Sequence, residues 1–472
     1  MTISSLHPAD GDGPYYVRLA DGIVAAMSDG TLEPGAKLPP QRNLAYDLGV
    51  TIGTVGRAYA LLRERGLVSG EVGRGTYVLG RPQPVGGNHA SEPLPLELGG
   101  TRSHEAPADK LRFDTTAAPD VGQGALVGEV FASVARDHPL SIASYSRTHP
   151  ADWLEAGVRW LARNGWAPSP EEIVPTLGAH AAALSVVAAM TAPGDGIVFE
   201  ALTYSQLCRS VRLTGRSIVT ADIDGEGIVP DDFERVCVRE KPKLAFLMPG
   251  MHNPTLAVMS EGRRSAIAEI ARRHDVWLIE DDIYGSMTAD DAPMLASLAP
   301  ERTFVVSSLS KAVAAGVRAG WIACPPQLAP RLRITHKMVT GGLSFVLAEA
   351  GARLVLSGAA SDVRRRSLSE IAAREAVARE ALSGHDFASR PSVPFLWLKL
   401  PEAWLSGTFK NAALQQDILI DDEDEYKAAR LDRSYHRVRI GFSSSRRDDV
   451  SAGLLRLRQL LDSGVAGYDT ET

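Results

Sequence analysis

Lys311 is the residue of this sequence whose setting is most suited to covalent chemistry. It follows the apolar, β-branched run at 303–306, which predicts a buried strand, so the lysine lies just past a strand end. Ser308 and Ser310 precede it, and Arg318 follows seven positions later. Such a set can hold a carbonyl compound as a Schiff base beside an anion. A surface loop with one lysine is the alternative, because a short motif is only a hypothesis until its context agrees.

The context of the lysine adds an acid, a phenol and an amide. A hydrophobic strand predicted at 276–280 ends in Asp281, and Tyr284 lies three residues beyond that acid. A carboxylate that emerges from a buried strand is costly unless it meets a cation, and a protonated pyridine nitrogen is such a cation. Another strand, predicted at 244–248, leads into Asn253.

The predicted start of a helix adds a group that could bind phosphate. Gly178 and Ala179 open an apolar helix, and the backbone N–H groups at such an opening bind phosphate without help from side chains. In this order along the chain, the set resembles the fold-type I pyridoxal-phosphate enzymes of the class I aminotransferase family. The resemblance implies an α/β fold for the body of the protein and pyridoxal 5'-phosphate as its cofactor.

The same resemblance assigns roles to single residues. Lys311 would hold the cofactor as a Schiff base, and Asp281 would pair with the pyridine nitrogen and keep it protonated. Tyr284, the third residue assigned to catalysis, and Asn253 would bind the phenolic oxygen of the cofactor. Tyr204 would stack on the ring. Taken singly, Asp281 could instead be a helix cap and Tyr204 a core aromatic residue.

The resemblance also implies which residues bind the phosphate of the cofactor and the substrate, and which residue reaches a partner subunit. The residues implied to hold the phosphate of the cofactor are Gly178, Ala179, Ser308 and Arg318. His180 and Ser310 are further residues implied to bind the cofactor. Arg439 matches the arginine that clamps a substrate carboxylate with its two-pronged fork, although a surface cation on an edge strand is the alternative. Tyr145 lies at a position where members of the family often have a tyrosine that contacts the cofactor phosphate of the partner subunit.

Composition narrows the class of protein. Of the 472 residues, 44% are hydrophobic, which is typical of a globular protein. The net charge of −7 argues against non-specific coating of nucleic acid. A whole-chain sum can still conceal a basic face on one domain. Cys208, Cys237 and Cys324 stand far apart, so we expect no metal site and no disulfide framework. Without a targeting segment or an apolar run of about 18 residues, we expect a soluble, cytoplasmic protein with no membrane partner.

The first part of the chain has its own pattern. After a tail at 1–14, residues 15–80 form a separate unit, in which apolar spacing predicts a helix at 15–27 and a short helix at 38–48. Thr51 can cap a third helix. Two short helices joined by a turn that contains glycine are the helix-turn-helix arrangement.

A β-wing follows these helices. Segments at 67–71 and 76–79 alternate like strands around Gly73, Arg74 and Gly75. Together the motifs resemble the winged helix-turn-helix head of GntR-type bacterial regulators, and a small helical interaction domain is the alternative. By analogy with that family, the residues that would face DNA are Arg42, Thr51, Thr54 and Arg57 in the helices and Arg74 and Gly75 at the wing.

The rest of the chain divides into a linker and a large body. Residues 81–112 are rich in Pro, Gly, Ser and charge, and they predict a flexible linker. Residues 113–472 would form the aminotransferase-like body, with a doubly wound large lobe to about residue 325 and a small C-terminal α+β lobe at about 326–465. We interpret the acidic stretch at 421–425 as an exposed loop.

The whole chain resembles the MocR subfamily, in which a GntR-type head is fused to an aminotransferase-like body. The resemblance implies a homodimer that binds a double-stranded DNA operator. It also implies that pyridoxal phosphate, alone or joined to an amino compound, shifts the body between conformations that the head follows. One alternative is an active aminotransferase with an accessory DNA-binding head, and another is a regulator that senses only the free cofactor.

Arg439 bears on the chemistry of the effector. A buried guanidinium on a strand beside a cofactor site costs several kcal/mol to desolvate unless an anion meets it. We therefore expect an effector that is an amino acid, with its carboxylate on Arg439, and a simple amine is the alternative.

Overall fold

The computed structural model describes residues 6–9, 13–33, 35–65, 67–71, 75–78, 100–102, 109–146, 148–288, 290–402, 404–429, 433–443 and 445–463. Its helices, numbered along the chain, are α1 Tyr15–Ser28, α2 Gln41–Leu48, α3 Ile52–Glu64, α4 Gln123–Asp137, α5 Pro139–Ile142, α6 Ala151–Leu161, α7 Ala179–Met190, α8 Ser205–Leu213, α9 Pro230–Glu240, α10 Glu261–Arg273, α11 Leu295–Leu298, α12 Ala329–Thr340, α13 Phe345–Leu356, α14 Ala359–Ala381, α15 Ser406–Gln415 and α16 Arg447–Asp462.

Its strands are numbered in the same way. They are β1 Val68–Glu71, β2 Gly75–Val78, β3 Leu111–Arg112, β4 Ile173–Thr176, β5 Gly196–Glu200, β6 Ser217–Ala221, β7 Ile223–Asp224, β8 Gly227–Ile228, β9 Leu244–Leu247, β10 Trp277–Asp281, β11 Thr303–Ser308, β12 Gly320–Ala323, β13 Phe387–Ser389, β14 Phe395–Lys399, β15 Ile418–Leu419, β16 Asp421–Asp422 and β17 Arg437–Gly441.

The head is a winged helix-turn-helix, as the sequence predicts. Helices α1 to α3 pack around a core of their own, and β1 pairs antiparallel with β2 to form the wing. Thr51 caps α3, because its hydroxyl accepts the backbone N–H of Thr54 at 3.2 Å. Helix α2 begins at Gln41 and not at 38 as expected, since Pro40 has the extended conformation that precedes a helix.

A seven-stranded mixed sheet organises the large lobe, in the order β4-β12-β11-β10-β9-β5-β6. Strand β12 runs antiparallel to both of its neighbours, and the other pairs are parallel. Consecutive residues on one strand face different cores: Leu278 packs with α9 and α10, whereas Ile279 packs with α7 and α8. Helices therefore cover both faces, which explains why the strands are continuous apolar runs.

The parallel strands decide where the polar residues meet. β10 ends at Asp281 and β11 ends at Ser308, while β9 leads towards Asn253. Because the carboxyl ends of parallel strands lie along one edge of a sheet, these residues face the same crevice.

The small lobe is built on a four-stranded antiparallel sheet in the order β13-β14-β17-β16. Strand β16, at one edge of this sheet, consists of Asp421 and Asp422. The prediction of an exposed acidic loop at 421–425 is therefore wrong. Asp421 and Glu423 are fully buried, and Asp422 and Glu425 are nearly so. The carboxylates are buried because each meets donors from other segments, such as Arg439 on β17 for Asp421.

The expected linker at 81–112 falls partly outside the described residues. Of the part that is described, β3 pairs with β15 of the small lobe, so the body already includes Leu111 and Arg112. Leu405, the residue before α15, is buried among the core residues of the head. The domain boundaries stay predictions, but head and body are in contact at this point.

Three observations concern the described residues as a set. None of their helices is long and apolar enough to cross a membrane. Within the same residues, no group of three or more His, Cys, Asp or Glu side chains could hold a metal ion. The three cysteines are buried and free.

Candidate functional site

Lys311 lies in a cavity of about 170 Å³ at the carboxyl edge of the sheet, which opens partly to solvent. Its Nζ donates to Oγ1 of Thr116 at 3.0 Å and lies 5.9 Å from the centroid of the Tyr284 ring. The hydroxyls of Tyr284 and Thr116 are 2.7 Å apart. Thr116 thus joins the lysine and the tyrosine, and the sequence analysis did not single it out.

The electrostatics of the cavity favour neutral forms of its central acid and base. Burial, followed by the charges of Arg439 and Arg102, lowers the pKa of Lys311 to about 7. Burial raises the pKa of Asp281 to about 7, although the N–H of Ile283 donates to its Oδ1 at 3.0 Å. A carboxyl group in this condition ionises readily when a cation reaches it, as a protonated ring nitrogen would.

One end of the cavity is an anion cradle made of backbone and side-chain donors. Helix α7 begins here and presents its free N–H groups, and Gly178 before it has a φ of 90°, which favours glycine. The guanidinium of Arg318 lies over Gly178. A Cβ on that glycine would be 3.6 Å from the guanidinium carbon. Ser308 and Ser310 add hydroxyls 3.1 Å apart. A phosphate group suits this set of donors.

Tyr204 and His180 also line the cavity. Their rings meet edge to face, with centroids 5.7 Å apart. Burial, together with nearby Arg318, lowers the pKa of His180, so its imidazole is neutral at pH 7. Its Nδ1 is buried and has no hydrogen-bond partner in the described part of the chain. His180 lines the cavity, and a ligand there would supply the bond that this atom lacks.

Arg439 is buried in the same cavity, but an internal carboxylate already meets it. Its terminal nitrogens donate to Asp421 at 2.6 Å, to the side-chain oxygen of Asn253 at 3.0 Å and to the backbone oxygen of Asp114 at 3.1 Å. The chain itself thus supplies an anion for this guanidinium, and the carboxylate of an effector on Arg439 stays a prediction. The Nε of Arg439 is buried without a partner among the described residues.

Asp421 is shared between two arginines. Arg102 donates from Nε to one carboxylate oxygen at 2.8 Å and from a terminal nitrogen to the other at 2.5 Å. Tyr426 donates to the same carboxylate at 2.5 Å. Burial opposes ionisation of Asp421, but Arg439 and Arg102 outweigh that effect and hold its pKa below the ordinary value.

The predicted cofactor residues are thus largely brought together. The members of the predicted set that line the one cavity are Ala179, His180, Tyr204, Asn253, Asp281, Tyr284, Ser308, Ser310, Lys311, Arg318 and Arg439. Tyr145 is 89% exposed and does not line it in the single chain, so its role across a subunit interface stays a prediction.

The residues predicted to face DNA differ in their exposure. Arg42 on α2 is exposed, and Tyr46, one helical turn further on, is 88% exposed. Thr51 is exposed, and its hydroxyl is 2.9 Å from that of Thr54. Arg57 is only half exposed, because its guanidinium lies 5.7 Å from the ring centroid of Tyr16.

The wing residues complete this comparison. Gly75 is the first residue of β2, the second strand of the wing. Arg74 lies outside the described residues.

The donors present fit pyridoxal phosphate. The α7 cradle suits its phosphate, Asp281 suits a protonated ring nitrogen, and Lys311 suits its aldehyde. The orphaned Nδ1 of His180 supports a ligand at this position.

Known proteins share both parts of this chain. Residues 120–447 match the family described as aminotransferase class I and II, and residues 15–78 match bacterial regulatory proteins of the gntR family. The first match spans more than half of the chain, and the second coincides with the winged helix-turn-helix.

Two relatives and one solved structure illustrate the similarity. The chain is 26% identical to "Uncharacterized HTH-type transcriptional regulator YdeF" of Bacillus subtilis over 95% of both chains. It is 27% identical to "Probable rhizopine catabolism regulatory protein MocR" of Rhizobium meliloti, over 68% of this chain and 67% of that protein. The kynurenine aminotransferase of Pyrococcus horikoshii has a TM-score of 0.68 at 21% identity, over 76% of this chain and 92% of that chain, which shows the fold.

Proposed function

Because this chain belongs to the aminotransferase class I and II family and carries a gntR-family domain at its head, we propose that it is a transcriptional regulator that senses an amino compound through pyridoxal phosphate held on Lys311. The head would bind a double-stranded operator, and the body would report whether the cavity contains the effector. Pyridoxal phosphate supplies an aldehyde that amines attack and a ring that withdraws electrons.

The observation that carries the proposal is the placement of Lys311. Its amine has a pKa of about 7, and it shares the cavity with Asp281 and with the cradle at the start of α7. A buried, partly neutral lysine is a nucleophile towards aldehydes. The same cavity offers Arg439 for a carboxylate.

Reconstitution with pyridoxal phosphate tests the cofactor part of the proposal. The purified protein should gain visible absorption, and borohydride should fix the cofactor on the peptide that contains Lys311. Lys311→Ala should abolish this label, whereas Lys337→Ala, which removes an exposed lysine on α12, should leave it intact. A label on Lys337, or no absorption after reconstitution, would contradict the proposal.

DNA binding tests the sensor part. Fluorescence anisotropy with DNA from the region beside the gene should give a dissociation constant that changes when amino acids are added to the protein loaded with cofactor. A ligand can change that constant only if it binds two conformations with different affinity. A constant that changes with the cofactor alone, and not with amino acids, would instead support a sensor of the free cofactor.

An active aminotransferase is the second candidate. The presence of Lys311, Asp281, Tyr284 and Arg439 in one cavity favours it. The bond between Arg439 and Asp421 opposes it, because a substrate carboxylate has to compete with an internal one. Steady conversion of an amino acid and a 2-keto acid would support the enzyme, and binding without turnover would support the sensor.

We also propose that the protein is a homodimer. The apolar side chains of Leu140, Tyr145, Ile334 and Met338 are 84%, 89%, 64% and 70% exposed on α5, on the loop after it and on α12. The loop that follows α5 reaches α12, because His149 on this loop adds to the effect of burial and lowers the pKa of His336 to about 4. Apolar side chains grouped on a surface are typical of an interface between subunits.

A further inference from the structure

The segment at 100–102 connects the cavity with the chain that leads back to the head. In the sequence, residues 79–99 separate this segment from β2, the second strand of the wing. Gly100 packs against the ends of the Arg209 and Glu425 side chains. The backbone N–H of Arg102 donates to Glu425 at 3.1 Å. The segment is therefore fixed to the small lobe at its backbone.

Helix α15 ties the same segment to the head. Lys410 on this helix donates to the backbone oxygen of Thr101, whose hydroxyl donates to Asp422. Leu405, the residue before the first turn of the helix, is buried in the core of the head. A shift of segment 100–102 thus acts on the head through α15 as well as along the chain.

The side chain of Arg102 points into the cavity that contains Lys311. There it forms a two-pronged pair with Asp421, whose other neighbour is Arg439. Such forked pairs between arginine and a carboxylate are strong and directional. A ligand that reaches Arg439 therefore also meets Arg102.

The charges of this cluster do not balance. Arg102 and Arg439 carry two positive charges and Asp421 carries one negative charge, so one positive charge is left over. Besides Asp281, two further acids on the lining have their own partners, because Glu425 pairs with Arg209 at 3.1 Å and Asp114 pairs with Arg112 at 2.7 Å. An uncompensated charge in a largely buried cluster is costly, and a ligand with one carboxylate would offset it.

We propose that Arg102 is an effector-binding residue, which holds the carboxylate of a monocarboxylic amino acid together with Arg439 and loosens its own pair with Asp421 as it does so. This inference rests on the proposed function and adds to it the charge class of the effector and the route to the head. Amino acids with a second carboxylate bind less well, because the cluster has one positive charge to offer. Amines without a carboxylate leave Arg102 on Asp421.

The test uses the full-length protein loaded with pyridoxal phosphate and a panel of L-alanine, L-glutamine, L-glutamate and butylamine. Visible absorption gives the half-saturating concentration, and hydrogen–deuterium exchange of peptides that cover 100–112 reports the loosening of the segment. L-Alanine or L-glutamine should bind more tightly than L-glutamate. Both should increase exchange in these peptides, whereas butylamine should not.

Arg102→Gln should raise the half-saturating concentration of the monocarboxylic amino acids roughly tenfold or more, and it should abolish their effect on exchange. Arg102→Lys keeps the charge without the fork and should have an intermediate effect. The matched control is Arg212→Gln, which removes an exposed guanidinium on α8 that does not line the cavity and should change the concentration less than about twofold.

The outcomes separate this inference from the proposed function. If the wild type responds to amino acids and both variants at Arg102 respond like it, Arg102 has no role in binding and the inference is wrong. If the wild type takes up the cofactor but responds to no amino acid, the proposed sensing itself is wrong. If Arg102→Gln loses the cofactor or the fold, Arg102→Lys decides, and a wild-type response in that variant contradicts the need for the fork.

Discussion

At the scale of single residues, the reactivity of Lys311 depends on whether its amine is neutral. An exposed lysine has a pKa of about 10.4 and is almost wholly protonated at neutral pH. Burial, with the charges of Arg439 and Arg102, lowers the pKa of Lys311 to about 7, and Asp281 opposes this effect only in part. About half of the lysine would therefore be neutral and nucleophilic near pH 7.

This shift predicts a pH dependence for uptake of pyridoxal phosphate by the apoprotein. The rate constant should increase about tenfold per pH unit below about pH 6, because the neutral fraction grows, and should level off above about pH 8. Stopped-flow absorption measures it, with Nα-acetyl-lysine amide as the control amine, whose rate should still increase at pH 9. Asp281→Asn tests whether Asp281, which titrates near the same pH, causes the change.

The prediction would be contradicted by a rate constant for the apoprotein that follows the control amine up to pH 9. In that case the amine of Lys311 would have an ordinary pKa, and the surrounding guanidinium groups would be too well screened to affect it.

The sequence was informative about Lys311 because its setting is local: a strand, two hydroxyls and an arginine within a short stretch. The partner of Arg439 could not be found in this way. Asp421 meets Arg439 through the register of β16 and β17, and it meets Arg102 across 319 positions of the chain. An acidic run predicts an exposed loop unless the cations that bury it are known, and those cations come from distant segments.

At the scale of elements, α2 and α3 determine how the head meets DNA. In a helix-turn-helix the N-terminal part of the second helix reads base edges, and the first helix crosses the backbone. Arg42 on α2 is exposed and free to reach a phosphate or a base, whereas Arg57 on α3 packs against Tyr16. Arg42 is therefore the clearer candidate for a direct contact.

Arg42→Ala should weaken binding to the operator by about 1–3 kcal/mol and should leave the absorption of the cofactor unchanged. The matched control is Arg63→Ala, which removes an exposed arginine at the C-terminal end of α3, where base contacts are not expected. Anisotropy titrations at several salt concentrations measure both the affinity and its salt dependence. Equal losses in the two variants would show that only general positive charge matters.

The elements were predictable where periodicity is strong. The helices of the head, the wing and the strands that end at Asp281 and Ser308 have clear patterns. Periodicity does not give strand direction, so the antiparallel course of β12 within the sheet was not predictable. Two-residue strands such as β3 and β16 are too short to leave a pattern.

At the scale of the whole molecule, the exposed apolar side chains on α5 and α12 predict an interface with a second copy. Leu140→Glu or Met338→Glu should raise the dissociation constant of the dimer roughly tenfold or more, because each places a charge in an apolar contact. The control is Val238→Glu, since Val238 is 60% exposed on α9. Sedimentation velocity at micromolar concentration measures the effect, and a wild-type monomer that binds the cofactor stoichiometrically would contradict the proposal.

Asp421 gives the proposed sensor a fixed threshold. A carboxylate that belongs to the chain is present at a constant effective concentration, so an effector has to exceed that concentration before it displaces the carboxylate. The response then depends on the difference between two similar interactions and not on the full strength of an arginine fork. Amino acid at concentrations below this threshold would leave the conformation of the body unchanged, and concentrations above it would change the conformation. Substitutions around Asp421 would move this set point without altering which DNA sequence is read.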